Sequence, residues 1–523
     1  MLASKASSMV MVTRSMNPAL ATPTSMRPGL RPRQQACELS QDKYEDQVLA
    51  KRLARCGAAW LAMAATIPQG AAQDVTLPDL VVTAPRATAS AASDMRLDAG
   101  QIAARPIARI GEALEAAPGL IVTQHSGEGK ANQYFLRGFN LDHGTDLAIS
   151  VDGMPVNMRT HAHGQGYADL NFLIPELLGG LAIRKGPYAA EDGDFATAGS
   201  MRLDLVDSLE RPFFQVTTGS YGYWRGLAAG SQRLGNGVLL AAGEAATYDG
   251  PWRRGDQLQR LTGMLRFTEG TASDGVSLTA MSYANRWHAT DQVPARAVSA
   301  GLVDRFGTLD PTDGGRAERH SLSGHWAGTG DWGTTRVSAY AIRSTLNLVN
   351  NFTYFLDDPL NGDQFTQADR RWVLGGEVSQ SLPWTLAGRE VVTRIGVQAR
   401  HDDIRLSLTR TVARAPLSTI REDRVRQDSL GIFTDSTWRL GDWLRLSGGL
   451  RADWVGGRVR SDAAENSGAA GEWIASPKAG IVLGPWAATE LFLNAGIAEE
   501  EDLRAEGEDE GSEALFESGQ DAG

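Results

Sequence analysis

The chain has little cysteine, no long apolar run and no basic cluster, and each scarcity closes off a class of function. Only Cys37 and Cys56 occur among its 523 residues. Both fall in a segment that reads as a leader, so the remainder is expected to carry no disulfide, cysteine nucleophile or Cys-based metal site. Beyond that leader no stretch of about 18 consecutive apolar residues is found, which disfavours a helical membrane protein. A membrane β-barrel stays open, because its strands carry apolar residues in alternation. No cluster of Lys and Arg interleaved with aromatics suggests a nucleic-acid partner. There is also no G-x-S-x-G elbow, H-E-x-x-H pair, Walker A loop or dinucleotide fingerprint. No catalytic residue and no cofactor are therefore expected, and the chain does not read as an enzyme. The net charge of -11 points to no partner either: Glu499 to Gly523 holds eleven carboxylates and one Arg, leaving the rest nearly neutral.

What is present begins with an export signal. Lys51, Arg52 and Arg55 precede an apolar stretch from Gly57 to Ala65, and Pro68-Gln69-Gly70-Ala71-Ala72 offers small residues for cleavage near Ala72 or Gln73. Residues 49–72 are thus expected to be a signal peptide. Residues 1–48 show no structural pattern and read as a non-structural extension from a start codon placed too far upstream. Residues 73–95 hold the β-prone pentad Leu80, Val81, Val82, Thr83, Ala84 and an Ala/Ser linker. A Val-Val-Thr run alone is an ordinary strand, but just behind an export signal it suits addition as an edge strand to a partner's sheet.

From 96 to 207 short helical and extended pieces alternate with glycines, as in a compact domain mixing helix and strand. Ile110 to Leu120 reads as a short helix stopped by Pro118-Gly119. Phe135-Leu136-Arg137-Gly138-Phe139 reads as a strand, Ala148 to Val151 as a strand ending in the Asp152-Gly153 turn, and Ile183 to Pro187 as a strand running into a bend. The Leu-Arg-Gly-Phe, Val-Asp-Gly-x-Pro and Lys-Gly-Pro pieces, in this order behind the pentad, resemble the plug of TonB-dependent outer-membrane receptors, with Leu80 to Ala84 as the TonB box. Leu178-Gly179-Gly180-Leu181 departs from that pattern, where the family usually has a polar, charged helix-to-strand junction.

From 212 to 496 the text becomes repeated period-2 strands. Leu444, Leu446, Gly448, Leu450, Ala452 and Trp454 share one face, and Arg445, Ser447, Gly449, Arg451 and Asp453 the other. Arg260, Thr262, Arg266 and Thr268 against Leu261, Gly263, Leu265 and Phe267 repeat the code, as do Arg394, Gln398 and Arg400 against Ile395, Val397 and Ala399. A soluble sandwich would alternate likewise; the leader and the plug resemblance favour lipid outside and water inside. The expected fold class is an α+β plug followed by a transmembrane antiparallel β-barrel. About fourteen strands can be counted, against about 22 in plugged transporters. Residues 497–523 read as an acidic low-complexity tail, for which a frameshift or premature stop near Gly496 is the expected source. Two unpaired strand edges in lipid would then make assembly poor.

The resemblance implies an active import receptor in the outer membrane of a Gram-negative bacterium. Its partners would be TonB with the inner-membrane energising complex, the outer-membrane lipids, and a scarce small-molecule or metal-chelate substrate such as a ferric siderophore. A non-functional receptor fragment and a passive outer-membrane porin are the alternatives. A receptor signalling through an N-terminal transducer domain finds no room between Ala72 and Asp79. Four of the eight histidines, His125, His143, His161 and His163, fall in the plug. Arg159, His161, His163, Gln165 and Tyr167 are the candidate substrate contacts, because the period-2 His-x-His can set both imidazoles on one side of an extended loop, where they can hold a borderline metal. The blander reading is a polar loop whose histidines bond their neighbours. Asp142, His143 and Glu128 read as solvated turn positions.

Overall fold

The computed structural model describes residues 89–107, 109–124, 129–486 and 489–497. The expected signal peptide, the pentad Leu80–Ala84, both cysteines, His125, Glu128 and the acidic tail beyond Ile497 lie outside the described residues.

Eight short strands build the plug: β1 Met95–Asp98, β2 Leu120–Thr123, β3 Gln133–Leu136, β4 Phe139–Asn140, β5 Leu147–Val151, β6 Met154–Pro155, β7 Leu178–Lys185 and β8 Gly199–Leu205. A five-stranded sheet runs β1-β7-β8-β5-β6, and a three-stranded one runs β2-β3-β4. Leu147, Ile149 and Val151 pair in parallel with Gly199, Met201 and Leu203 and are all but fully buried. Alternate positions of β5 thus feed one core together with Leu114, Tyr134 and Phe172.

The three signatures each mark a turn or an anchor. Leu-Arg-Gly-Phe is not one strand, as its sequence suggests, but the corner of the hairpin β3–β4, with Arg137 at φ 54° and Gly138 at φ 87°. Two successive positive φ values fit the twist of a tight hairpin. Asp152-Gly153 turns β5 into β6 in the same way, and the Asp152 carboxylate accepts the Leu205 N–H at 3.1 Å. Lys185, before the Gly-Pro bend, donates to the Pro118 carbonyl at 2.9 Å. The family-departing Leu178-Gly179-Gly180-Leu181 follows a single 3-10 turn, Pro175–Leu177, and opens β7 through a bulge.

Thirteen further strands form one antiparallel sheet in sequence order, one fewer than the count of about fourteen. They are β9 Phe213–Thr218, β10 Trp224–Leu234, β11 Gly237–Tyr248, β12 Leu258–Gly270, β13 Gly275–His288, β14 Gly314–Gly330, β15 Gly333–Asn350, β16 Phe365–Leu386, β17 Arg389–Val412, β18 Ala415–Gly441, β19 Leu444–Ser461, β20 Gly468–Trp486 and β21 Thr489–Gly496. The longest, β18, has 27 residues. The connections 235–236, 331–332, 387–388 and 442–443 at one end are tight, whereas the other end holds the long ones 249–257, 289–313 and 351–364 together with the two-residue turn 413–414. The sheet thus has a short-turn end and a long-loop end, as outer-membrane barrels do.

The period-2 code sorts as expected. Leu450 is 51% exposed and Arg451 beside it 4%. Leu278, Leu322, Leu374, Ile395, Val397 and Ile432 point outward and are exposed, while Thr262, Arg266 and Asp453 are buried on the inner side. Along these stretches the sheet shows its apolar side chains and hides its polar ones, inside out relative to a water-facing sheet.

Candidate functional site: the plug loop 158–167 and its seat in the barrel

The plug presents the chain from Met158 to Tyr167 toward the long-loop end. Two observations fix this direction. The loop bonds Gln367 near the start of β16, while the first described plug residues lie at the opposite end: the Ala89 carbonyl accepts from Arg445, and the Ser90 carbonyl from Asn494. An isolated bridge between Met158 and Tyr167 closes the loop. Gly166, at φ 74°, has Thr145 N only 2.8 Å from where a Cβ would stand, so no side chain fits at this corner.

Each candidate residue has a neighbour to hold. Arg159 donates to Asp194 at 2.6 Å and to Ser429 of β18 at 2.9 Å, with only 4% of its surface exposed. Its carbonyl and that of Thr160 accept from Arg371 of β16, which also grips Asp369. The Thr160 hydroxyl donates to Gln427 at 2.9 Å, and the Gln165 side chain accepts the Thr160 N–H at 2.7 Å. Arg159 thereby ties the plug to the wall.

The His-x-His pair is likewise divided. The His161 ring stacks on Tyr167 at 4.1 Å between centroids, and its Nδ1 accepts the His163 N–H. The His163 ring turns to His143, with 3.1 Å between their Nε2 atoms, and meets Gln367 through Nδ1 at 2.8 Å. His143, expected in a solvated turn, is 1% exposed and bonds the Asn132 carbonyl at 3.0 Å through Nδ1. That contact places the proton of a neutral His143 on Nδ1. Tyr167 closes the group by accepting the Ala131 N–H at 2.9 Å. Among the described residues no group of three or more His, Cys, Asp and Glu side chains could hold a metal ion. The partners of the loop on β16 and β18, more than 200 residues away in sequence, carry no local signal.

Burial governs its protonation. It pushes His161 down to about 4, helped by Arg371 and opposed by Asp369. His163 is held well below the ordinary imidazole value by burial, with Lys130 and His143 adding to the effect. Lys130 is wholly buried, which lowers its ammonium to about 8. His161 and His163 are thus neutral at pH 7.

A second seat is built from charge. Glu191, on the plug segment between β7 and β8, meets Arg202 at 2.6 Å, Arg184 at 3.6 Å and Arg394 of β17. Burial would raise this carboxyl, but the three guanidiniums hold it well below the usual carboxylate range. Gln398 donates to the Glu191 carbonyl at 3.1 Å, and Arg451 reaches the Ala190 carbonyl. Farther round, Arg225 clamps Glu176 through two bonds of 2.6 and 2.8 Å, and Arg266 bridges Asp152 and Asp207.

Comparison with known proteins agrees with this anatomy. A family model described as TonB-dependent Receptor Plug Domain matches residues 85–200, and one described as TonB dependent receptor-like, beta-barrel matches 243–499. The ferric citrate transporter FecA in its unliganded form superposes with a TM-score of 0.65 at 13% identity, over 78% of this chain and 62% of that one. For the copper transporter OprC the values are 0.60, 17%, 78% and 64%. For the open form of the ferric-catecholate import receptor Fiu from E. coli K12 they are 0.60, 13%, 79% and 70%. The chain thus spans just under two thirds of the length of the first two, and at such identities the likeness concerns fold alone.

Proposed function

Because the chain belongs to the TonB-dependent receptors, we propose that it imports a scarce nutrient, a ferric siderophore or related metal chelate, across the outer membrane with energy delivered by TonB. The carrying observation is polarity. The plug's first described residues are tied at the short-turn end, through Ala89 and Ser90, while the loop 158–167 is presented at the long-loop end. On this reading the short-turn end faces the periplasm, where the Leu80–Ala84 box would add as a strand to TonB's sheet. Substrate would arrive from the other side. The iron and copper cargoes in the names of the structural neighbours support a metal-chelate class. The half-buried rim of the loop, Thr160, His163 and Gln165, is its nearest contact surface, with His161 and Tyr167 shaping it from behind.

The sequence of events follows from the fastenings. Chelate bound at the rim competes for the bonds that Thr160 and His163 make to β18 and β16. Loosening them frees the plug while the charged seat at Glu191 holds it. Pulling from the periplasm then does the remaining work. Replacing Val82 by Pro removes an N–H donor and fixes φ, so uptake of labelled chelate is expected to vanish while binding to whole cells persists. Undiminished uptake by Val82→Pro would exclude the box.

A further inference from the structure

On the outer face of β15 to β19, two neighbouring rows of the ladder are nearly all arginine. One row is Arg370, Arg405, Arg424 and Arg460, each the direct cross-strand partner of the next. The row beside it is Arg343, Trp372, Asp403, Arg426 and Arg458, again in register. Seven guanidiniums therefore face one carboxylate. The alternating neighbours on β17 and β18, Asp402, Ile404, Asp423 and Val425, are buried on the inner side, so the arginines point away from the plug.

Like charges set directly opposite in a ladder repel, and guanidinium cannot shed its proton. The compensation supplied within the chain is small. Asp403 meets Arg424 at 2.9 Å and Arg426 at 3.6 Å. Arg343 leans over the Trp372 ring at 5.5 Å. Arg424, Arg426, Arg458 and Arg460 converge on one small cleft, in which the Nε of Arg424 is buried without a hydrogen-bond partner. Four guanidiniums gathered side by side can share a tetrahedral oxyanion at the surface, which guanidinium binds through paired N–H bonds.

Height along the wall identifies the anion's carrier. Four residues below Arg426 on β18 is Leu430, in register with Trp454 and then Trp473 of the exposed apolar and aromatic band. That is roughly 13 Å along the strand, toward the short-turn end. Aromatics of this kind sit at the membrane interface. A basic stripe just beyond them stands at the level of lipid headgroups, where cationic side chains attract anionic lipid.

We propose that the stripe binds the phosphate groups of a phosphorylated lipid in the leaflet surrounding the long-loop end. The proposal rests on the reading that the sheet spans the outer membrane; its test reads binding and not transport, so either can fail alone. The full chain, folded in detergent, is mixed with a bisphosphorylated diglucosamine lipid, with the same lipid stripped of phosphate, and with inorganic phosphate, and retention is read by native mass spectrometry. The phosphorylated lipid is expected to bind about tenfold or more tightly than the stripped one. The combined variant R405Q/R424Q/R426Q/R460Q should lose that margin, and the corresponding four-lysine variant should keep most of it. Should the glutamine variant fail to fold, judged by heat-dependent gel mobility, R426Q and R458Q singly serve instead, each expected to weaken retention several-fold. Equal retention of both lipids, or displacement by an equal concentration of inorganic phosphate, overturns the proposal.

Discussion

Two of the contacts between plug and wall differ in what holds their centre. At Glu191 formal charges interlock: one carboxylate lies among Arg184, Arg202 and Arg394. At 158–167 the His161 and His163 rings are kept neutral by burial, and His163 and Thr160 are joined by directional bonds to Gln367 and Gln427. A charged seat costs much to break and responds little to pH in the physiological range, because its groups titrate far outside it. A neutral histidine seat sits within reach of modest acidification. One plug can thus be held firmly at one contact and conditionally at the other.

The largest expected effect comes from removing the centre of the charged seat. Glu191→Gln leaves three guanidiniums without their shared partner, and breaking a buried pair of this kind costs about 3–5 kcal/mol. Plug amides are expected to lose protection in hydrogen exchange, and adding Arg394→Gln should recover part of the loss. Retained protection in Glu191→Gln would erase the difference between the seats.

Acid should act on the other seat. An unfolded imidazole takes up its proton near pH 6.5, whereas His161 in the folded plug does so only near 4. Between these values the unfolded state binds more protons, so this stabilisation is complete above pH 6.5 and is lost as pH falls toward 4. Its full size is up to about 3 kcal/mol. His161→Phe keeps the stack on Tyr167 and should flatten the pH dependence of plug protection between pH 6.5 and 4; an unaltered slope would place the acid response elsewhere.

Tyr167→Phe should cost less, about 1–3 kcal/mol, by leaving the buried Ala131 N–H without its acceptor. Thermal unfolding followed at the plug would show it. At the bottom of the scale is the exposed pair Arg253–Asp304, 2.6 Å apart on the long-loop side. Asp304→Asn there should leave plug protection unchanged, which calibrates the other three.

Much of this architecture is legible in the amino-acid order alone. Alternation assigns Leu450 and Arg451 to opposite faces because a strand admits only two. Asp152-Gly153 announces its turn because few other pairs tolerate that geometry. Arg137-Gly138 does not, since an arginine at positive φ has no local signature. The role of His143 stays hidden because its partner His163 is 20 residues away, and that of Arg159 because Ser429 is 270 away. The arginine stripe is invisible for the same reason: each strand contributes one or two ordinary surface residues, and only register gathers them.

The position of β1 has a mechanical consequence. It is the edge of the five-stranded sheet, joined to β7 alone through four residue pairs, and just before it Asp94 meets Arg184 at 3.0 Å while Ser93 bonds the Lys185 carbonyl. Tension entering the chain at Ala89 therefore loads these contacts in series: first the bonds to Arg445 and Asn494, next the Asp94 and Ser93 ties, then one ladder. Everything inward of β7 keeps its own pairing while that happens. The plug carries a mechanical fuse at its leading edge, which yields link by link before the load reaches the core.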